Sequence, residues 1–285
     1  MGGQPEQGGE ERADNGSMVG GRNLPVAIAV GLALAGLFLG SLFWHPAAFS
    51  LVVAALTIIA YVESDQVLRG IGLRLEVPVL IVATLVMLFG AYEADHAGQV
   101  VGVGVLVLGG VLWQLSDTSR TDVARRLSST LLFGLWVGFL ASFAVLLVNR
   151  PDGAVAVLAV IGAVVLTDIG GFGFGVWLGR HKIAPGVSPN KSWEGLLGGL
   201  VVAVVASAFV LPLLGETFDA TSAAVLAVTC GLAGFVGDLT ESMIKRDLGV
   251  KDLGRMLPGH GGVLDRVDGI LFALPVGYYA VEFLP

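Results

Sequence analysis

Long apolar stretches alternate with short polar ones along the chain, at roughly 24–44, 46–62, 77–92, 98–115, 131–148, 154–178, 195–215, 222–240 and 268–284. Each is near the roughly 20 residues that a helix needs to cross the ~30 Å apolar core of a bilayer. The pattern predicts an all-α polytopic membrane protein with about nine transmembrane helices. The runs 46–62, 77–92 and 268–284 are short, so their ends are loosely set, and the first two runs fit a hairpin as well as two full crossings. No repeat of 20 to 50 residues is visible, nor are the inverted halves with paired broken helices of many transporters.

Residues 1–23 carry no apolar run and are rich in Gly and Glu, which predicts a disordered cytoplasmic tail. The tail is long and acidic where a secretory signal is short and basic, so the run 24–44 reads as a retained anchor. Residues 24–150 are mostly Leu, Val, Ala and Gly and read as a scaffold of about five helices. Residues 151–285, with about four helices, hold the unusual polar side chains and read as the catalytic domain.

The cations test sidedness, because cytoplasmic loops carry an excess of Lys and Arg. Nine crossings with a cytoplasmic N-terminus place Arg12, Arg22, Arg69, Arg74, Arg120, Arg125, Arg126, Arg180, Lys182, Lys191, Lys245, Arg246, Lys251, Arg255 and Arg266 inside. Of the 16 Lys and Arg residues only Arg150 then falls outside. Losing one crossing would invert every later loop and scramble that split. Composition agrees with a membrane protein: 55% hydrophobic, 14% charged and a mean hydropathy of +0.83, against roughly 25% charged in soluble domains. A soluble enzyme is excluded, and a net charge of -7 has the wrong sign for wrapping nucleic acid. The single cysteine, Cys230, lies in an apolar stretch; it forms no intrachain disulfide and reads as a small buried side chain.

All four lysines lie in the last two predicted cytoplasmic loops, with two polar clusters. The first runs from Asp168 through Gly170, Gly171, Gly173 and Gly175 to the segment Ser188, Asn190, Lys191, Ser192 and Glu194. An ionised Asp168 within a membrane helix costs on the order of 2.5–3.5 kcal/mol on insertion scales, so it needs a cation, a cavity or a partner. The nearby glycines suit close helix packing. The Ser188–Glu194 segment supports two readings on chemistry alone: a helix start capped by Ser192 with Glu194 on the positive dipole end, or an anion site in which free N–H groups and Lys191 attract phosphate.

The second cluster is more specific. On a continued helix Asp238, Glu241, Ser242 and Lys245 fall at i, i+3, i+4 and i+7, on one face. Asp265 and Asp268, three apart at the start of the last helix, share another. Two carboxylate pairs converging from two helices suit Mg²⁺, which takes oxygen ligands and bridges carboxylates to substrate phosphates. The charges are punctuated by Pro258, Gly259, His260, Gly261 and Gly262, a pattern that a merely solvated loop does not need; His260 fits a turn-holding ring N–H as well as a functional role.

From Ser242 to Asp268 the chain reads Ser-x-aliphatic-Lys-Arg, four residues, Lys251-Asp252, then Pro-x-His-Gly-Gly, then Asp265-Arg266-x-Asp268. This resembles the signature of the phosphatidate cytidylyltransferases, or CDP-diacylglycerol synthases, at every fixed position. The Ser188–Gly195 segment is also similar to the family's Ser-Pro-Lys-type segment. Asp168 stands where the family places an aspartate beside small residues; a common Asp-Thr-Gly-Ala-Tyr is here Asp168-Ile169-Gly170-Gly171-Phe172, without the tyrosine hydroxyl. The motifs cover roughly residues 165–270.

The resemblance implies condensation of CTP with phosphatidic acid to CDP-diacylglycerol and pyrophosphate, with Mg²⁺, at the cytoplasmic face of the plasma membrane, and it suggests a homodimer. The implied metal ligands are Asp238 and Asp265, with Asp168 and Asp268 beside them. Lys245, Arg246 and Lys251 would neutralise phosphates. Ser188, Asn190, Lys191, Ser192 and Glu194, with Asp252, His260, Gly261, Gly262 and Arg266, would line the CTP and lipid-phosphate sites. A CTP-dependent lipid kinase is the nearest alternative, and an ion-coupled transporter using Asp168 and Asp238 as a relay is one from another class. The spaced Asp-Gly, Ala-Arg and Asp-x-x-x-Asp pattern of CDP-alcohol phosphotransferases is not found.

Overall fold

A computed structural model describes residues 18–19, 22–118, 121–254, 256 and 261–284. Its helices are α1 (Leu24–Trp44), α2 (Pro46–Arg69), α3 (Val77–Ser116), α4 (Val123–Phe133), α5 (Leu140–Val148), α6 (Gly153–Leu178), α7 (Trp193–Leu214), α8 (Ala220–Asp247) and α9 (Leu264–Phe283). A π-helical turn, Gly134–Phe139, joins α4 to α5, so Val123–Val148 runs as one rod. Among the described residues, six helical stretches are long and apolar enough to cross a membrane: 46–69, 77–116, 123–148, 153–178, 193–214 and 220–247.

Two antiparallel ladders accompany the helices: β1 (Met18–Val19) on β2 (Arg22–Asn23), and β3 (Lys182–Ala184) on β4 (Ser188–Ser192). Apart from them, the described residues form the all-α architecture expected. The first lies within the stretch expected to be disordered, whose residues 1–17 are outside the described ones. Apolar periodicity carries no signal for either ladder, because strands of two to five residues are too short to set up an alternating pattern.

Helix ends follow local chemistry. His45 accepts the Ala47 N–H through Nδ1 at 3.1 Å, and Pro46, which has no N–H to satisfy, opens α2. At α8 Asp219 and Ser222 form a reciprocal capping box, and the Ser222 N–H, bound at 2.7 Å, holds the Asp219 carboxyl below the usual carboxylate range. The rod Val123–Val148 starts eight residues before the apolar run at 131, because its first turns carry Arg125 and Arg126 outside the hydrophobic stretch.

α3 is not one straight helix. Ala94 and Asp95 leave helical geometry, with Asp95 at φ 51°, and the chain doubles back. A Cβ on Gly98 would lie 2.2 Å from the Gly90 carbonyl carbon, and one on Gly102 2.3 Å from Met87 Cγ, contacts that only two antiparallel arms can make. Gly98→Ala should therefore destabilise the protein by about 1–3 kcal/mol, the usual range for overpacking. Gly104→Ala, with nothing within 4 Å, should leave stability unchanged. Thermal unfolding of the two variants in detergent checks this, and equal stability of both would remove the claim that the arms touch backbone to backbone.

Polar contacts sort the connections into two ends of the bundle. At one end Arg126 bridges Glu76 and Asp117 at 2.6 and 2.7 Å, and Asp65 accepts from Arg69 and from the Leu75 N–H. Glu63, near the end of α2, reaches residues 256 and 263 there. At the other end Asn149 donates to the Tyr92 carbonyl, Thr217 donates to Asp152, and Arg150 pairs with Glu282 while lying 4.8 Å over the Tyr278 ring. Between them lies a core that includes Tyr61, Phe49, Leu68, Leu80, Met87 and Leu147, all fully buried.

Candidate functional site

The last turns of α8 carry the predicted polar face. Ser242 Oγ donates to Asp238 Oδ1 at 3.3 Å, and Lys245 Nζ donates to Glu241 Oε2 at 2.5 Å, the i to i+4 contacts expected of one helix face. Lys245 also reaches across to α9, where it meets Asp265 Oδ1 at 3.0 Å. Asp265 in turn accepts the Leu253 N–H at 3.2 Å on each oxygen. The helices come this close because Gly237 faces Gly269: a Cβ on Gly237 would lie 2.7 Å from the Asp268 carbonyl oxygen.

A second ion pair enters from β4. Lys191 Nζ lies 2.6 Å from Asp238 Oδ2 and 4.5 Å from the centre of the Phe235 ring, so the ammonium has a carboxylate and an aromatic face as partners. Asp268, one turn into α9, interacts with Asp238 and Glu241, and Asp168 of α6 interacts with Asp238, Asp268 and Lys191. Five carboxylates (Asp168, Asp238, Glu241, Asp265, Asp268) and two lysines thus gather from α6, β4, α8 and α9. The structure brings Asp238, Asp265, Asp168, Asp268, Lys245 and Lys191 together at one end of the bundle.

This cluster is short of positive charge. Glu241 is 2% exposed, and its Oε1 has no donor among the described residues; the groups beside the carboxyl include Asp265 and Asp268, themselves acceptors. A buried unsatisfied carboxylate oxygen costs free energy unless a cation or proton reaches it. Among the described residues no three acidic, Cys or His side chains stand together as a ready cation site; the lysines bridge the carboxylates instead. An all-oxygen, acidic donor set with an orphaned oxygen nevertheless suits a hard divalent cation such as Mg²⁺.

The segment at 188–194 is a hairpin strand leading into a capped helix. Ser192 Oγ accepts the Gly195 N–H at 3.2 Å as the N-cap of α7. Glu194 sits in the first turn, but its carboxylate turns back to accept the N–H groups of Arg180 and His181 at 3.1 and 3.2 Å and to meet the His181 ring at 2.5 Å. Lys182 donates to the Asn190 carbonyl and Arg246 Nε to the Val187 carbonyl, which seats the hairpin on the end of α8. Glu194 and Arg246 thereby position the hairpin. Ser188 is half-buried and Asn190 exposed at its rim. Of the glycines near Asp168, Gly170 meets Gly199 of α7, whereas Gly173 faces open space.

Lys251 and Arg266 are exposed and Asp252 is half-buried. Gly261 has φ +86°, and Gly262 lies against Asp265 so closely that a Cβ would fall 2.5 Å from Oδ2. His260 lies outside the described residues. One residue that sequence reasoning missed is Glu63 on α2. It is 1% exposed and accepts the Met256 and Val263 N–H groups at 2.5 and 2.7 Å, so the predicted scaffold half reaches into the loop of the site. The available signal was Glu63-Ser64-Asp65 directly after an apolar run, a position that also suits a solvated helix end.

Residues 25–284 match the model of the cytidylyltransferase family. The chain is 37% identical over 283 residues to a phosphatidate cytidylyltransferase of Mycobacterium leprae, covering 93% of this chain and 89% of that one. It is 33% identical over 295 residues to one of Mycobacterium bovis, covering 99% and 96%. One of Synechocystis is 30% identical over 297 residues, covering 92% and 96%.

Proposed function

The chain belongs to the cytidylyltransferase family, as a nucleotidyltransferase that joins CTP to phosphatidate with release of pyrophosphate, and we propose that the transfer takes place at the α8–α9 carboxylate–lysine cluster. The observation that carries this placement is Lys245, which ties Glu241 of α8 to Asp265 of α9, with Asp238 and Lys191 one turn away.

The reaction asks little covalent chemistry of the protein. A phosphatidate oxygen attacks the α-phosphorus of CTP, a new P–O bond forms, the bond from that phosphorus to the α–β bridging oxygen breaks, and pyrophosphate leaves with the electron pair. The attacking oxygen is already anionic near neutral pH, so no general base is required. What is required is to bring two polyanions together and to offset charge on the transferring group. Among the described residues, Lys191 and Lys245 are cations of the cluster, and Arg246, Lys251 and Arg266 flank it in sequence. Asp238 and Asp265 would hold Mg²⁺, with Asp168 and Asp268 beside them, and the bound ion would supply charge neutralisation at the phosphates. Ser188, Asn190 and the backbone at Gly261 and Gly262 would contact nucleotide or lipid phosphate.

The same reading takes the molecule as nine crossings, with the cluster at the cytoplasmic leaflet. Three features support it: the two arms of α3, the sorting of polar contacts into two ends, and Arg150 at the end opposite the site. CTP is cytosolic and phosphatidate is a lipid, so a site at that interface is the one place where both arrive.

The test is product analysis. Purified protein with phosphatidic acid, Mg²⁺ and each of the four nucleoside triphosphates should release pyrophosphate with CTP selectively and move an α-phosphate label into lipid. A γ-label in lipid would identify a lipid kinase instead. Chelation with EDTA should abolish the reaction and excess Mg²⁺ restore it; full turnover in EDTA would remove the metal from the proposal.

A further inference from the structure

We infer that Glu63, on α2 in the N-terminal half, is a positioning residue for the transfer: it holds the backbone at residues 256 and 263, just ahead of Asp265. The inference rests on the site proposed above. Its geometry stands independently. Glu63 Oε1 accepts the Met256 N–H at 2.5 Å and Oε2 the Val263 N–H at 2.7 Å, so one carboxylate holds backbone on both sides of residues 257–260. The other end of the same segment is held by Asp265, which accepts the Leu253 N–H. Gly254 completes the seat, since a Cβ there would lie 2.5 Å from Glu63 Oε2.

A carboxylate at 1% exposure is costly to bury, and two charge-assisted bonds from backbone N–H groups are the compensation. Packing alone needs no such arrangement, since an apolar side chain would fill the space without the desolvation cost. What the carboxylate adds is a fixed position for the backbone at residues 256 and 263. Val263 lies two positions before Asp265, whose carboxylate meets Lys245. The residues that sequence reading assigned to scaffold therefore set the position of a catalytic carboxylate and of the backbone beside it.

Three variants of the full-length protein test this: Glu63→Ala, Glu63→Gln and Gly254→Ala. The readouts are amide hydrogen exchange at residues 256 and 263, steady-state kinetics for each substrate, and thermal stability in detergent. Glu63→Ala should lose exchange protection at those two amides and raise KM for CTP while lowering kcat, so that kcat/KM for CTP falls about 100-fold, as for a displaced catalytic group. Glu63→Gln keeps one acceptor oxygen and should recover part of the loss. Gly254→Ala pushes the carboxylate from the other side and should reproduce the Glu63→Ala defect without touching Glu63.

Wild-type protection at 256 and 263 in Glu63→Ala would overturn the clamp. Lost protection with wild-type kinetics would overturn the positioning role. A fall in kcat alone, with both KM values unchanged and no rescue in Glu63→Gln, would mean a lower fraction of folded protein and also overturn it. If Glu63→Ala does not fold, the Glu63→Gln and Gly254→Ala data decide by the same criteria. Absence of CDP-lipid formation by the wild-type protein would instead remove the reading of the site, and the exchange result would still report on the clamp.

Discussion

Asp238→Asn should lower kcat for CDP-diacylglycerol formation by about 10²–10³-fold, the scale on which removing one preorganised electrostatic contact acts. The substitution is isosteric and removes one negative charge from the meeting point of α8, β4 and α6. Asp238 is linked to three of the cluster's charges: Lys191 by a direct pair at 2.6 Å, and Asp168 and Asp268 electrostatically. Its side chain is 34% exposed, so it is not a core prop, and the amide can keep the hydrogen bond from Ser242. The fold should therefore survive, at a cost of about 1–3 kcal/mol because the buried Lys191 ammonium loses its paired charge. The deciding measurement is kcat at saturating CTP and phosphatidate across a Mg²⁺ titration, beside a thermal melt. A defect relieved by higher Mg²⁺ supports a metal-holding role. Wild-type turnover in a folded variant would reject Asp238 as a ligand and move the site elsewhere.

Much of this was legible in the sequence because membrane helices write their own boundaries. Apolar runs of fixed length marked the helices, and the break between 92 and 98 was visible as Glu93, Asp95 and His96 between two such runs. The turn there is real, at Ala94 and Asp95. The i, i+3, i+4, i+7 spacing placed Asp238, Glu241, Ser242 and Lys245 on one face, and the structure pairs them as that spacing requires. The two hairpins were not legible, since strands of two to five residues are too short to show a periodicity. Nor was Glu63, for a physical reason: its partners are backbone N–H groups nearly 200 positions away, and a backbone donor has no residue type to recognise. Glu194 shows the converse. Its place in the first turn of α7 suggested helix-dipole support, but folding turns its carboxylate back onto the 180–181 backbone.

Lys245→Met should be the most damaging single change in the cluster, and a second substitution separates its two effects. Lys245 is 17% exposed and lies between Glu241, 2% exposed, and Asp265, 9% exposed. Its removal leaves both carboxylates facing each other without a cation, and breaking one partner out of a buried pair costs about 3–5 kcal/mol. Glu241→Gln in the same chain removes one of those charges and should return most of that stability. Turnover is a different matter. If the ammonium contacts phosphate during transfer, restoring the charge balance does not replace it, and the double variant should remain at least about 100-fold below wild type in kcat. Thermal unfolding in detergent and initial rates on the same preparations measure both quantities. Recovery of stability and turnover together would assign Lys245 to folding alone, leaving the phosphate-binding role to Lys191 and Lys251; recovery of stability without turnover would place its ammonium on the reacting groups.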